Sequence, residues 1–152
     1  MARETSIKNP SAFEIVSQFV AALSVRDTET MKSLHAQEYV VDWVYGDAFE
    51  NPPSSAAESA AFFPAWFAGF DEIDYEVKCT IAAEEVVVTE WAFTGTHTGT
   101  LGPPVFEERL VPTGRTIQFR GVTIYDVREG LIQRETIYMD LATLMVELGA
   151  RI

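Results

Sequence analysis

Three ionisable side chains stand where the sequence could support acid–base chemistry. Asp42 interrupts an otherwise apolar strand pattern, between Val40 and Val44. Asp140 ends the last strand pattern, directly before the last helix pattern, and His97 lies within Thr-Gly-Thr-His-Thr-Gly. A carboxyl group that is buried or faces a pocket has a raised pKa, which suits a general base. Asp140, Asp42 and His97 are therefore our candidates for proton transfer.

Each candidate also has a structural interpretation. Asp42 could bond nearby backbone, and His97 could hydrogen-bond a hydroxyl or carbonyl group at the edge of a loop. Asp is a preferred N-cap residue, so Asp140 could serve only to cap the last helix. An Asp140→Asn variant should separate the two roles, because Asn also caps helices. If Asp140 moves the proton, that variant loses turnover and keeps the fold.

The hairpin register decides what Asp140 faces. If Glu129-Gly130 forms a two-residue loop, Arg128 pairs with Leu131 and Phe119 lies opposite Asp140. On this register Asp140 shares one face with Tyr138, Phe119, Thr123 and Tyr125. Such an aromatic surface with an acid at its edge suits a small organic ligand as well as a core. The opposite face receives an ion pair, formed by Arg120 and Glu135.

Other catalytic chemistries have no motif in this sequence. We find no dinucleotide-binding, phosphate-loop, nucleophile-elbow or paired-histidine zinc motif. His35 and His97 are far apart, and there is no cluster of Cys and His, so no metal site is predicted. Cys79 falls on the apolar side of an alternating strand, which predicts a small buried residue. We expect a protein that works without metal or cofactor.

The composition of the chain limits the kinds of partner that we expect it to bind. The chain has 152 residues, with 11 Lys+Arg and 23 Asp+Glu, for a formal net charge of −12. This charge opposes binding to nucleic acids and to anionic membranes. The longest apolar run, 60–70, is too short to span a bilayer. The length predicts one domain over residues 1–152. The single cysteine and the absence of a signal-peptide pattern predict a cytoplasmic location.

The periodicity of the chain predicts the elements that position these residues. Helical spacing covers 11–25 and 28–35, an apolar strand covers 39–45, and Ser55-x-x-Glu58 opens a further helix. Long strand patterns and a short last helix follow. This order predicts an α+β fold, in which helices pack on one face of a curved, mostly antiparallel sheet and form a cone. The aromatic residues predicted to line or fill it are Trp43, Tyr45, Trp66, Trp91, Phe119 and Tyr138.

Several motifs in the second half of the chain are similar to those of a known family. They lie between residues 85 and 149 and follow one another at characteristic spacings. The motifs are Phe-Thr-Gly-Thr-His-Thr-Gly (93–99), Pro-Thr-Gly-Arg (112–115), Phe-Arg-Gly (119–121), Gly-Leu-Ile (130–132), Tyr-Met-Asp (138–140) and Glu-Leu-Gly (147–149). This pattern resembles the SnoaL-like polyketide cyclases, whose superfamily includes nuclear transport factor two and ketosteroid isomerase. The resemblance implies a cone-shaped α+β barrel.

The resemblance also implies a chemistry. Cyclases of this family use a carboxyl group, without cofactor or metal, as the acid–base group in an intramolecular aldol closure. Asp140 matches that acid, and Asp42 lies near the place of the base in ketosteroid isomerases. Glu135-Thr136 stand where many relatives carry His-Trp. We therefore expect a homodimer that pairs through its sheet and acts on a small hydrophobic substrate bearing a carbonyl group. His97 or Tyr45 would hold the substrate oxygen.

Two alternatives remain at this stage. Relatives that hydrolyse epoxides need an Asp-Arg-Asp arrangement to position a water molecule, and the strand holding Trp91 lacks the expected Arg and Asp. A protein that only binds a small molecule, or only dimerises, would have the same fold. A cone that is fully packed would favour the dimerising subunit. An open cavity with unperturbed acids would favour the carrier.

Overall fold

The structure, a computed structural model, describes residues 10–44 and 55–150. In these two segments the chain forms four helices and five strands. The elements are α1 (Ala12–Ser24), α2 (Thr28–Ser33), β1 (His35–Val44), α3 (Ala56–Phe67), β2 (Phe70–Ala82), β3 (Val86–His97), β4 (Thr116–Arg128), β5 (Leu131–Met139) and α4 (Leu141–Glu147). None of these helices is long and apolar enough to cross a membrane.

The five strands form one mixed sheet in the order β1-β5-β4-β3-β2. Strands β2 to β5 follow one another as antiparallel neighbours. Strand β1 joins the far edge and runs parallel to β5. Helix α1 packs against β2 to β5, and α3 packs against β1 and β2, so both cover the same face of the sheet. The predicted α+β fold with a mostly antiparallel sheet is confirmed.

Local signals in the sequence account for the helix boundaries. The Ser11 hydroxyl accepts a hydrogen bond from the Glu14 amide at 3.2 Å, and Ser55 does the same for Glu58 at 3.2 Å. Ser55 is the predicted N-cap of α3, and Ser11, where the first helical spacing begins, is the N-cap of α1. Pro64 lies inside α3 without interrupting it. Helix α2 ends at Ser33, and His35 already begins β1, so the second helix is shorter than predicted.

A β-bulge at Gln133 shifts the register of the hairpin. Arg128 pairs with Leu131, as predicted, but Asp126 pairs with Arg134, which leaves Gln133 without a partner. Because one extra residue reverses the facing of the side chains that follow, the predicted register is wrong beyond this point. Tyr125 therefore lies opposite Glu135, and the Asp140 amide bonds to the Arg120 carbonyl at 3.0 Å.

A second irregularity lies between Val77 and Cys79, where β2 changes register against β3. Cys79 is exposed, so the prediction that it is a buried core residue is wrong. The alternation of residue types is the same on both sides of the bulge. The strand pattern alone therefore identified the strand but not the direction of its side chains.

We expect Gly121→Ala to destabilise the fold. A methyl group at Gly121 would overlap the Tyr138 carbonyl oxygen and the Trp91 ring, and such overpacking costs about 1–3 kcal/mol. Gly102→Ala is the matched control, because its methyl group would meet only the flexible Arg109 side chain, at 3.1 Å. Urea unfolding measures both variants. Equal stability of the two would contradict the close approach at Gly121.

Candidate active site

The helices and the inner face of the sheet enclose an aromatic cavity. It offers about 30 Å³ to the centres of water molecules, within an atom-free region of about 390 Å³ that includes open solvent. This is room for about two waters, so a larger ligand requires rings at its edge to move. The lining residues are Leu23, Trp43, Phe62, Phe63, Trp66, Tyr75, Trp91, Phe93, Phe119, Thr123, Glu135 and Ile137.

Among the described residues of this lining Glu135 is the one with a carboxyl group, and it is almost fully buried, with 1 % of its surface exposed. Its neighbours in the sheet are Tyr125 on β4 and Val41 on β1. Tyr39, also on β1, donates a hydrogen bond from its hydroxyl to Glu135 Oε2. Burial raises the pKa of Glu135 to about 8, although the hydrogen bond from Tyr39 acts in the opposite direction.

Further hydroxyl groups surround this carboxyl. The buried Tyr125 hydroxyl interacts electrostatically with Tyr75 and Glu135 and lies beside the Thr89 hydroxyl. Burial raises the pKa of Tyr75 and Tyr125 well above that of a free tyrosine, so both stay protonated at neutral pH. Thr123 accepts a hydrogen bond from the Trp91 indole at 2.8 Å. The inner face thus carries a polar belt beside its aromatic part. We use this name for Tyr75, Thr89, Thr123, Tyr125 and Glu135.

The structure separates the predicted aromatic residues into three groups. Trp43, Trp66, Trp91 and Phe119 line the cavity. Tyr138 is half exposed on the outer face of the sheet, away from Glu135. Tyr45 lies outside the described residues.

Asp140 lies outside the cavity, at the N-terminus of α4. Its carboxylate accepts hydrogen bonds from the Thr143 hydroxyl at 2.6 Å and from the Thr143 amide at 3.1 Å. These bonds, the hydroxyl first, lower the pKa of Asp140. The predicted face shared with Phe119, Thr123 and Tyr125 is wrong, because the bulge turns Asp140 outward. Its catalytic role stays a prediction, and its geometry is that of a helix cap.

Asp42 also points away from the cavity. It forms an ion pair with Arg134 of the neighbouring strand, with 2.6 Å between Asp42 Oδ2 and Arg134 Nη2. The side chains keep 23 % and 39 % of their surface exposed. The expected ion pair between Arg120 and Glu135 does not form, since Glu135 faces inward. Asp42 thus has a cationic partner and remains in contact with solvent, and its role as a base stays a prediction.

His97 is fully buried but does not line the cavity. Its Nδ1 lies 3.0 Å from the Thr113 hydroxyl and accepts the Thr113 amide at 3.3 Å. Burial lowers its pKa, so the ring is neutral. In this position His97 ties the end of β3 to the connection that leads into β4. The structure therefore brings none of the three predicted acid–base residues together.

The sequence analysis missed Glu135, because the bulge that turns it inward shows itself only in the burial of two neighbouring residues. Ile132 and Ile137 are both buried on the inner face, and their separation of five residues cannot place them on one face of a regular strand. A bulge between them resolves this conflict and brings Glu135 to the inner face. Within the described residues no three His, Cys, Asp or Glu side chains are grouped as metal ligands would be.

Comparison with known proteins gives one family. A model described as "SnoaL-like polyketide cyclase" matches residues 14–148. Among proteins with curated annotation, none matches.

Solved structures with the same fold have low sequence identity. AclR from Streptomyces galilaeus, a candidate hydroxylase, has a TM-score of 0.72 at 21 % identity, over 89 % of this chain and 78 % of its own. IdmH from Streptomyces antibioticus, a candidate polyketide cyclase, has a TM-score of 0.69 at 22 % identity, over 91 % and 98 %. TsrD from Streptomyces laurentii has a TM-score of 0.72 at 18 % identity, over 96 % and 100 %. At these identities the likeness establishes the fold alone.

The buried carboxyl should make stability depend on pH. An unfolded Glu135 releases its proton near pH 4.5 and the folded one near 8, so stability falls as the pH rises through this window. The loss is on the order of 5 kcal/mol as an upper bound. Glu135→Gln has no proton to lose. In urea unfolding its stability relative to that of the wild type should therefore increase between about pH 5 and about pH 9. Glu38→Gln, on the exposed part of β1, should follow the wild type. If the stability of Glu135→Gln also follows that of the wild type at every pH, Glu135 is not a buried acid.

Proposed function

The chain belongs to the SnoaL-like polyketide cyclase family, and on this premise we propose that it is an acid–base enzyme whose proton-transferring group is Glu135. Its substrate would be a small hydrophobic molecule with a carbonyl group, bound in the aromatic cavity. The observation that carries the proposal is the Glu135 carboxyl, buried in that cavity and with its pKa raised to about 8.

Such a pKa suits the chemistry, because a general base works best when its pKa lies near the working pH. A fraction of Glu135 is ionised at neutral pH, and that form can accept a proton from the carbon beside a carbonyl group. The electron pair of the broken C–H bond then moves to the carbonyl oxygen and gives an enolate. In this proposal the protonated Tyr75 hydroxyl, with the Tyr125 hydroxyl beside it, stabilises this oxygen.

The enolate carbon has two fates in this proposal. It can attack a second carbonyl group of the same molecule, which forms a carbon–carbon bond and closes a ring, as in the aldol chemistry of the family. The alkoxide formed from that second carbonyl group then takes the proton back from Glu135. Where the enolate is conjugated with a carbon–carbon double bond, the far carbon of that dienolate can take the proton from Glu135 instead, which is an isomerisation. In both cases the carboxyl group ends the cycle ready for a further proton, so the chemistry consumes no cofactor.

The cavity favours this proposal over epoxide hydrolysis. The described lining contains no Arg and no Asp, and the pair formed by Asp42 and Arg134 lies on the outer face. A homodimer that pairs through the outer face of the sheet remains part of the proposal, and sedimentation of the purified protein tests it. A monomer at all concentrations would remove that part only.

Glu135→Gln should abolish proton transfer. We would follow the exchange of the C1 protons of 2-tetralone, a small bicyclic ketone, for deuterium by NMR. The variant keeps the shape of the side chain but has no base, so the rate should fall by about 10²–10⁴. In the wild type, kcat/KM should rise with pH and level off above about 8, where Glu135 is ionised. Glu38→Gln is the matched control.

Asp140→Asn provides the contrary outcome, because the sequence motifs point to Asp140. If Asp140→Asn abolishes exchange and Glu135→Gln does not, our proposal is overturned, and the proton-transferring role moves to Asp140. If the wild type accelerates exchange no more than buffer does, while 2-tetralone binds in the cavity, the protein is a carrier.

Tyr39→Phe should move the pH profile upward. The Tyr39 hydroxyl favours the ionised form of Glu135, and its removal raises the pKa of that group further. The midpoint of the kcat/KM profile should therefore shift to higher pH, while the ring that stacks on His35 at 4.0 Å is kept. Tyr138→Phe, which removes a hydroxyl from the outer face, should leave the midpoint in place. A shift in Tyr138→Phe alone would contradict this assignment.

A further inference from the structure

A buried polar atom without a hydrogen-bond partner requires a physical explanation, and for an atom beside a cavity the binding of a ligand is one such explanation. Within residues 10–44 and 55–150 four side-chain atoms are buried and make no hydrogen bond. They are Trp43 Nε1, Thr89 Oγ1, His97 Nε2 and the Tyr125 hydroxyl oxygen.

Three of these atoms have polar neighbours. Thr89 and Tyr125 lie beside each other in the polar belt. The His97 ring interacts with the backbone of Gly99 and Leu110, and it does not line the cavity. Trp43 differs from them, because its ring lines the cavity and packs against the aromatic rings of Phe62 and Trp66. The ring centroids lie 5.2 Å from Phe62 and 6.1 Å from Trp66.

We propose that the Trp43 indole N–H binds an acceptor oxygen of the substrate, and that this oxygen is remote from the carbon that loses its proton to Glu135. The inference rests on the proposed function and adds a second anchoring point. An indole N–H can only donate, so the group it selects is an acceptor such as a carbonyl, ester or ether oxygen.

The sheet register sets the distance between the two anchoring points. Val41 pairs with Glu135, and Trp43 pairs with Ile137, on the parallel strands β1 and β5. Trp43 therefore lies two residues further along the strands than Glu135, a rise of about 6.6 Å. This offset separates the backbone positions of the two residues, and in the proposed function the carbonyl oxygen beside the reacting carbon lies in the polar belt. In this proposal Trp43 therefore binds a second oxygen, across the ring system of the substrate.

The cavity walls between the two anchoring points, Glu135 and Trp43, are aromatic, and they indicate what the middle of the ligand is made of. Trp66, Trp91 and Phe119 pack against one another, with ring centroids 5.8 Å apart for Trp66–Phe119 and 5.6 Å apart for Trp91–Phe119. The substrate class is therefore a compact ring compound with a reactive ketone at one end and an acceptor oxygen at the other.

The test uses two ketones of nearly the same shape, 6-methoxy-2-tetralone and 6-ethyl-2-tetralone. The methoxy group places an acceptor oxygen across the aromatic ring from C1, and the ethyl group places a methylene there. By calorimetry the wild type should bind the methoxy ketone roughly threefold to tenfold more tightly, the effect of one hydrogen bond. Trp43→Phe keeps an aromatic ring but no donor, and should bind both ketones equally.

Trp91→Phe is the matched control, because the indole N–H it removes already binds Thr123. This variant should keep the preference for the methoxy ketone. The proposal is overturned if the wild type shows no preference, or if Trp43→Phe retains it. NMR of the wild type gives a check that does not depend on folding of a variant. The Trp43 indole proton should shift downfield with the methoxy ketone and not with the ethyl ketone, and equal shifts would overturn the proposal.

A failure of the proposed function and a failure of the Trp43 assignment give different results in these experiments. If Glu135 moves no proton, the exchange of C1 protons stays at the buffer rate with both ketones, while the preference in binding remains. If only Trp43 is assigned wrongly, exchange proceeds in the wild type and the KM of Trp43→Phe for the methoxy ketone is unchanged.

Discussion

The architecture of the site depends on one added residue, Gln133, in the last strand. Without the bulge, Glu135 would face solvent and Asp140 would face the cavity. With it, an acid is buried among aromatic rings, which is costly unless hydrogen bonds or protonation compensate for lost hydration. Tyr39 supplies the hydrogen bond and the raised pKa supplies the protonation. The same burial that makes Glu135 costly to the fold makes it available as a base near neutral pH.

The cavity combines two surfaces that act on different parts of a ligand. In the proposed function the polar belt, with Glu135, Tyr125 and Tyr75, transfers the proton and stabilises an oxyanion. The aromatic walls offer apolar area, and they stand so close together that little water remains between them. Hydrogen bonds and charges act more strongly when water is excluded. A ligand that opens the walls would therefore meet a carboxyl group whose proton affinity is already adjusted.

The sequence analysis assigned Asp140 and Glu135 to the wrong faces of the sheet for one reason. The motif ending in Asp140 is local, and its structural meaning, a helix cap, is also local and was recognised. Whether an acid points inward depends on the cumulative register of a strand, which a single bulge reverses. Cys79 illustrates the same effect on β2. Burial of Trp43, Trp66 and Trp91 followed from their size and apolar surface, which is why those predictions agree with the cavity lining.

Much of this protein was determined by its sequence alone. Capping boxes and helical or alternating periodicity identified the order of helices and strands, and from that order came the α+β fold, because each signal acts over a few neighbouring residues. The motifs of the second half identified the family. The packing of distant elements determines which carboxyl group enters the cavity and brings Tyr39 to Glu135 across 96 residues of chain. It also places Trp43 in the cavity lining, where its indole N–H has no acceptor among the described residues. These facts depend on pairing between distant strands, for which no local pattern carries the information.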